Sequence, residues 1–108
     1  MKIIAKREAI LSPLQAVIGV VERKQTMPIL ANVLVTAKGG KLSITATDLE
    51  VELVATSDVD VQRGGEITIP GRKLLDIGRA LPEGTEITLT QGGERMLVRA
   101  RKSRFTLS

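Results

Sequence analysis

Apolar and polar residues alternate with a period of two along much of this 108-residue chain. Leu42, Ile44 and Ala46 fall on one side, with Ser43, Thr45 and Thr47 on the other. Val51 and Leu53 flank Glu52. Ile67 and Ile69 alternate with Thr68 and Pro70, and Ile87 and Leu89 with Thr88 and Thr90. Met96, Val98 and Ala100 alternate with Leu97, Arg99 and Arg101, and Phe105 and Leu107 enclose Thr106. Successive side chains of a strand point to opposite faces, so these stretches predict strands with one face on a core and one in water. From Ile29 to Ala37 the apolar run is more continuous, as in a central strand.

Two segments repeat at helical spacing instead. Ile10, Leu11, Leu14, Val17, Ile18 and Val21 form one stripe with Glu8 near its start, which predicts a helix from about residue 7 to 20. Pro13 is awkward there, because a proline beyond the first turn removes a backbone bond. Leu74, Leu75, Ile77, Gly78 and Leu81 follow Pro70-Gly71 and precede Pro82-Glu83-Gly84, which predicts a second helix over 71–81.

The predicted order is strand, helix, three strands, then the same again. A shift of 54 positions lays Leu42, Ile44 and Ala46 on Met96, Val98 and Ala100, and Val51 and Leu53 on Phe105 and Leu107. Gly39-Gly40 falls within one residue of Gly92-Gly93, both at expected hairpin turns. Any two amphipathic hairpins align to some degree, but helices and turns correspond as well, which favours a repeat. Two βαβββ units imply an α+β layer, with antiparallel sheets outside and two helices on one face.

Composition narrows the chemistry. With 43% hydrophobic residues the chain can bury a core, and its length is that of one domain. No apolar run is long enough for a membrane span, and the start, Met1-Lys2-Ile3-Ile4-Ala5-Lys6, has far too short an apolar stretch for a signal peptide. The absence of Cys is consistent with a reducing cytoplasm. Without His or Cys, most nucleophile–base pairs and the usual zinc ligands are missing, and no GxxxxGK[ST] loop is present. The expectation is a non-enzyme with no catalytic residue, no metal and no cofactor. Phe105 is the only aromatic residue, so a base-stacking groove is poorly supported. The net charge of +4 permits a polyanionic partner, contacted through phosphates and therefore without sequence preference.

Charge separates the two repeats. Asp48, Glu50, Glu52, Asp58 and Asp60 fall in a stretch with no basic residue, whereas Arg95, Arg99, Arg101, Lys102 and Arg104 fall in one with no acidic residue. Two solvated strand edges account for this, and so does a last hairpin that meets an acidic partner. Charged edges also discourage stray pairing, so both accounts can hold.

Four segments carry a family resemblance: Thr26-Met27-Pro28-Ile29-Leu30-Ala31-Asn32, Thr47-Asp48-Leu49-Glu50-Val51-Glu52, Ile69-Pro70-Gly71-Arg72-Lys73-Leu74-Leu75-Asp76-Ile77, and Glu94-Arg95-Met96-Leu97-Val98-Arg99. With the closing Ser103-Arg104-Phe105-Thr106-Leu107-Ser108, they resemble the first domain of the bacterial DNA polymerase III beta subunit, in order and spacing. The resemblance implies the DNA-clamp fold and a processivity factor: a ring of two three-domain subunits, joined head to tail, that slides on duplex DNA and tethers the replicative polymerase. The polymerase and clamp loader would bind through domains beyond this one. The chain itself would be a single domain, 1–108, excised from a three-domain subunit.

By the same resemblance, Lys24 and Arg72 match basic positions facing the hole, and Arg7, Arg23 and Arg79 add to the field with less warrant. Lys73, Ile77, Arg95, Lys102, Arg104, Phe105 and Leu107 match subunit-interface positions, an apolar patch rimmed by cations that faces carboxylates of another subunit. Solvated surface cations, and for Phe105 an ordinary core place, are the plain alternatives. A stand-alone RNA or single-stranded DNA binding module is the competing function, separable by preference for duplex over single strands. Identical basic edges repel, so the chain alone is predicted to be a monomer with one sticky edge over 95–107.

Overall fold

A computed structural model describes residues 1–23, 32–47 and 52–108, without the side chains of residues 20–23 and 47. Their order is β1 (Lys2–Lys6), α1 (Arg7–Arg23), β2 (Asn32–Lys38), β3 (Lys41–Thr47), β4 (Glu52–Asp58), β5 (Asp60–Arg63), β6 (Gly65–Pro70), α2 (Gly71–Ala80), β7 (Glu86–Gly92), β8 (Arg95–Ala100) and β9 (Ser103–Leu107). Every predicted strand and both helices are present. Residues 29–31 of the continuous apolar run, and Val51, lie outside the described residues. The part of that run in β2 is central as expected, lying between β3 and β6, and it buries alternate residues Val33, Val35 and Ala37.

The strands form two antiparallel sheets, one ordered β5-β1-β7-β8-β9 and the other β4-β3-β2-β6. The repeats exchange their first strands. β1 pairs with β7, the first strand after the second helix, and β6 pairs with β2, the first after the first helix. β5 has no counterpart among the predicted strands. It continues the line of β4, leaves that sheet at Val59 and becomes an edge of the other beside β1.

The repeat is real at its hairpins but not at a constant shift. β2–β3 and β7–β8 keep the 54-residue offset, with Lys38 opposite Lys41 and Gly92 opposite Arg95. Beyond them the expected match of Val51 and Leu53 to Phe105 and Leu107 fails. Ala46 faces Leu53 seven residues on, but Ala100 faces Ser103 only three on. The later connection is a tight turn, and Phe105 therefore corresponds to Ala55, because Phe105 faces Val98 as Ala55 faces Ile44.

A continuous core joins both sheets to both helices. It takes Ile3, Leu42, Ile44, Ile69, Leu89, Met96 and Val98 from the strands, and Ile10, Leu14, Leu74 and Leu75 from the helices. Two glycines set how closely the helices approach. A Cβ on Gly78 would come 2.5 Å from Leu11 Cδ2, and one on Gly71 would come 3.2 Å from Ile18 Cδ1. The glycines are seven residues apart on α2, as Leu11 and Ile18 are on α1, and they meet in opposite order. The helices are thus antiparallel, and α1 drives its large side chains against bare backbone.

Pro13 sits inside α1, buried, with the helix unbroken on either side. Lacking an N–H, it leaves the carbonyl of Ala9 without its helical donor. Ser57 of β4 supplies one, its Oγ donating to Ala9 O. The sheet repairs the bond that the sequence deletes.

Candidate nucleic-acid interface and subunit edge

α1 and α2 each bury one stripe, and the opposite stripes define a face. Among the α1 side chains described, the exposed ones are Glu8, Ser12, Gln15 and Ala16, none of them basic. On α2 they are Arg72, Lys73, Asp76, Arg79 and Ala80. Arg72, Asp76 and Arg79 share one side by helical spacing, with Arg72 Nε 3.3 Å from Asp76 Oδ1. Both side chains are more than half exposed, so the pair is weak. Lys73 and Ile77 lie one turn apart on the neighbouring stripe, the lysine exposed and the isoleucine half-buried at the core margin.

Arg7 occupies a different setting. Its side chain is only 20% exposed, with Nε donating to Gly78 O at 2.8 Å and Nη1 to Glu8 Oε2 at 2.8 Å. Its backbone N–H donates to Thr85 O, and Glu8 in turn accepts from the Gly84 N–H at 3.1 Å. The start of α1 is thereby stitched to the end of α2 and the turn that follows. The Arg7 hydrogen bond, aided by the Gly84 N–H, holds the Glu8 carboxyl below its ordinary value of 4.5. Arg7 thus has a structural task already, which its position at a predicted helix start did not reveal. Arg23 ends α1, and Lys24 lies outside the described residues.

The basic hairpin is β8–β9. Arg99 and Arg104 are directly opposite each other across the ladder, an arrangement that costs free energy unless an anion lies nearby. Arg101 and Lys102 make the turn between them, and Arg101 holds φ at 54°, the only non-glycine residue with positive φ among those described. Arg95 opens β8 and is exposed. Phe105 faces Val98 and is half-buried, whereas Leu107 faces Met96 and is 5% exposed, a core residue in this chain. The structure therefore gathers Arg95, Lys102, Arg104 and Phe105 on one edge hairpin and leaves Lys73 and Ile77 on α2. Arg99 and Arg101 join that edge too. Only the run of basic residues had signalled them.

The sequence model of the DNA polymerase III beta subunit, N-terminal domain, matches residues 1–108. The chain belongs to that family. The beta sliding clamp of Pseudomonas aeruginosa is 53% identical over 104 residues, covering 95% of this chain and 28% of that protein. The beta sliding clamp of Escherichia coli is 50% identical over 109 residues, covering 100% of this chain and 30% of that protein. Among solved structures, the DNA polymerase III subunit beta from Pseudomonas aeruginosa superposes with a TM-score of 0.88 at 49% identity, over 100% of this chain and 29% of that one. The DNA polymerase sliding clamp from Caulobacter crescentus gives 0.86 at 40% identity, over 99% and 30%. This chain thus spans less than a third of the relatives' length. The α+β layer expected from the repeat and the clamp fold implied by the resemblance are both found in the solved beta-subunit structures, and the comparisons give no support to a stand-alone RNA or single-strand binder. No helix among the described residues is long and apolar enough to cross a membrane.

Proposed function

We propose that this domain is one part of a ring that encircles duplex DNA and tethers the replicative polymerase, acting in the cytoplasm without catalysis. The observation that carries the reading is the end-to-end match to the beta-subunit N-terminal domain, with a TM-score of 0.88 to a beta subunit at 49% identity. The paired helices would face the DNA, with Arg72 and Arg79 exposed on α2 and Lys24 just beyond α1. Long cations on a rigid helix pair attract phosphates of any sequence and let go readily, which suits sliding. Arg23, at the end of α1, would add positive potential, whereas Arg7 is committed within the fold to Gly78 O and Glu8. No step of such a function makes or breaks a bond, in keeping with a chain that lacks His and Cys.

The β8–β9 edge, with Lys73 and Ile77 of α2, would meet the second subunit head to tail. Its Arg95, Lys102 and Arg104 would face carboxylates there, with Phe105 and Ile77 supplying apolar contact and Leu107 supporting Phe105 from the core. Polymerase and clamp loader would dock on parts of the subunit other than this domain.

Fluorescence anisotropy on duplex and single-stranded oligonucleotides tests the reading. Duplex binding should be weak, indifferent to sequence and steeply reduced between about 50 and 200 mM salt, because phosphate contacts release counterions. Lys24→Ala and Arg72→Ala should each weaken it on all sequences and lower the salt slope by about one. A flat salt response, or a preference for single strands, would refute it.

A further inference from the structure

We propose that the outer face of the five-stranded sheet docks an extended acidic segment of a partner protein, one whose two carboxylates flank an apolar side chain. The inference stands apart from the DNA reading, which uses the helices. On β1, β7 and β8 the buried residues Ile3, Ile87, Leu89, Met96 and Val98 point into the core. Their neighbours Lys2, Ile4, Thr88, Thr90, Leu97 and Arg99 therefore point outward, and together they line a cleft of about 240 Å³. Register sets them in two rows. Lys2, Thr90 and Leu97 lie side by side across the strands, and Ile4, Thr88 and Arg99 form the next row. The cations thus occupy one diagonal of the cleft and the half-buried apolar residues the other, with the two threonines between them.

Charge sets the kind of partner. Neither Lys2 nor Arg99 has an ion-pair partner among the described residues. Arg63 lies opposite Lys2 and Arg104 opposite Arg99, so each cation faces a like charge across its strand, a cost that a docked carboxylate offsets. The acids nearby are Asp60, opposite Ile4 and hydrogen-bonded by Gln62, and Glu86, opposite Lys6, and both stand outside the cleft. The outer face of the other sheet carries Glu52, Asp58 and Glu66 against Lys38 and Lys41, and Asp58 already holds Lys41. An acidic segment therefore has one sheet to choose.

Spacing sets the form of the segment. Strands about 4.8 Å apart and residues about 3.4 Å apart along them place the backbones of Lys2 and Arg99 about 12 Å apart. In an extended segment, residues i and i+4 are about 13 Å apart and project to the same face, as does i+2 between them. Carboxylates at i and i+4 would meet Lys2 and Arg99 while an apolar residue at i+2 settles between Ile4 and Leu97. A phosphate backbone would satisfy the cations but leave that apolar pair unused, which favours a protein segment over nucleic acid.

An NMR titration of the 108-residue chain with the peptide Glu-Thr-Ile-Thr-Glu tests the proposal. The amide signals of Thr88, Thr90 and Leu97 should shift saturably, with a Kd of about 1 mM or tighter that weakens as salt rises. The peptide Glu-Thr-Ile-Glu sends its carboxylates to opposite faces and should bind about fivefold more weakly or worse, as should Gln-Thr-Ile-Thr-Gln. Lys2→Glu and Arg99→Glu should each weaken the first peptide about fivefold or more, since each turns an attraction into a repulsion. Lys38→Glu, an equal change of net charge on the other sheet, should leave binding as it is. Leu97→Ser should weaken the first peptide but not Glu-Thr-Ser-Thr-Glu, and signal dispersion reports whether each variant is folded. The peptide series on the parent decides the matter without any variant. No saturable shift would overturn the proposal, as would equal binding of the three peptides, or a Lys38→Glu loss as large as that of Lys2→Glu. Duplex DNA that shifts the same amides more strongly than the peptide would also overturn it, making this face a nucleic-acid surface.

Discussion

Pro13 and Ser57 show how a residue that breaks a local rule is compensated far away in sequence. The proline withdraws the donor that Ala9 O would accept, and the hydroxyl of Ser57 restores it from another element. Ser57→Ala should cost about 1 kcal/mol, the low end of the penalty for stranding an acceptor, since this one is part-buried. In a Pro13→Ala background the new N–H at residue 13 can serve Ala9 O, so the same change should cost clearly less. Urea unfolding of the four proteins measures the coupling. Equal costs in both backgrounds would mean that Ser57 acts through packing instead. Only the first half of this pair was legible beforehand: Pro13 announced a missing helical bond, but not what would replace it. The alternation through Val51 and Leu53 predicted a strand there, but which of its residues would reach α1 depends on how the helix lies across the sheet.

Elements meet at junctions, and the tightest is where α1 begins. Glu8 binds Arg7 and the Gly84 N–H, tying the first helix to the turn after the second. Its carboxyl is held below 4.5, chiefly by the Arg7 hydrogen bond, so the folded state favours the ionised form. That contribution is complete above the unfolded value and disappears as pH falls through the lower folded value. Asp58, lowered by its hydrogen bond to Lys41, acts in the same direction. The stability gap between the parent and Glu8→Gln should therefore be present near neutral pH and close below about pH 4.5. Urea midpoints across that range would show it, and a gap that widened with acid would contradict the assignment. The helix spans themselves were readable from stripe spacing. α1 runs to Arg23 rather than 20, and α2 ends at Ala80, one residue short of 81. Ends depend on neighbours, here the Leu81 N–H bonding to Gly78 O as the chain turns away.

At the scale of the whole molecule the exchange of first strands binds the two repeats into one cooperative unit. β1 sits inside the sheet of the second repeat and β6 completes that of the first, so neither repeat can keep its sheet without the other. Native-state hydrogen exchange should find the slowest amides of Val35 and Ile44 opening with the same free energy as those of Leu89 and Val98. Distinct opening energies for the two sets would show that the repeats unfold separately. The same architecture puts an acidic edge on one sheet and a basic edge on the other, a polarity that a composition count of +4 conceals.

The order of apolar and polar residues by itself determined the strands, the two helices, the inward-facing core positions and the hairpin offset of 54, because local periodicity dictates which face is buried. Lack of His, Cys and all but one aromatic residue set what chemistry was absent, since no fold can supply missing groups. Tertiary structure alone decided the strand exchange, the departure of β5 from its first sheet, and the correspondence of Phe105 to Ala55, because these follow from connection lengths and sheet edges rather than from periodicity. It also turned Arg7 inward to Gly78 O while leaving Arg72 and Arg79 exposed. An arginine's position along a helix states its charge, and only the neighbouring helix decides whether that charge is spent inside the fold or offered to a partner.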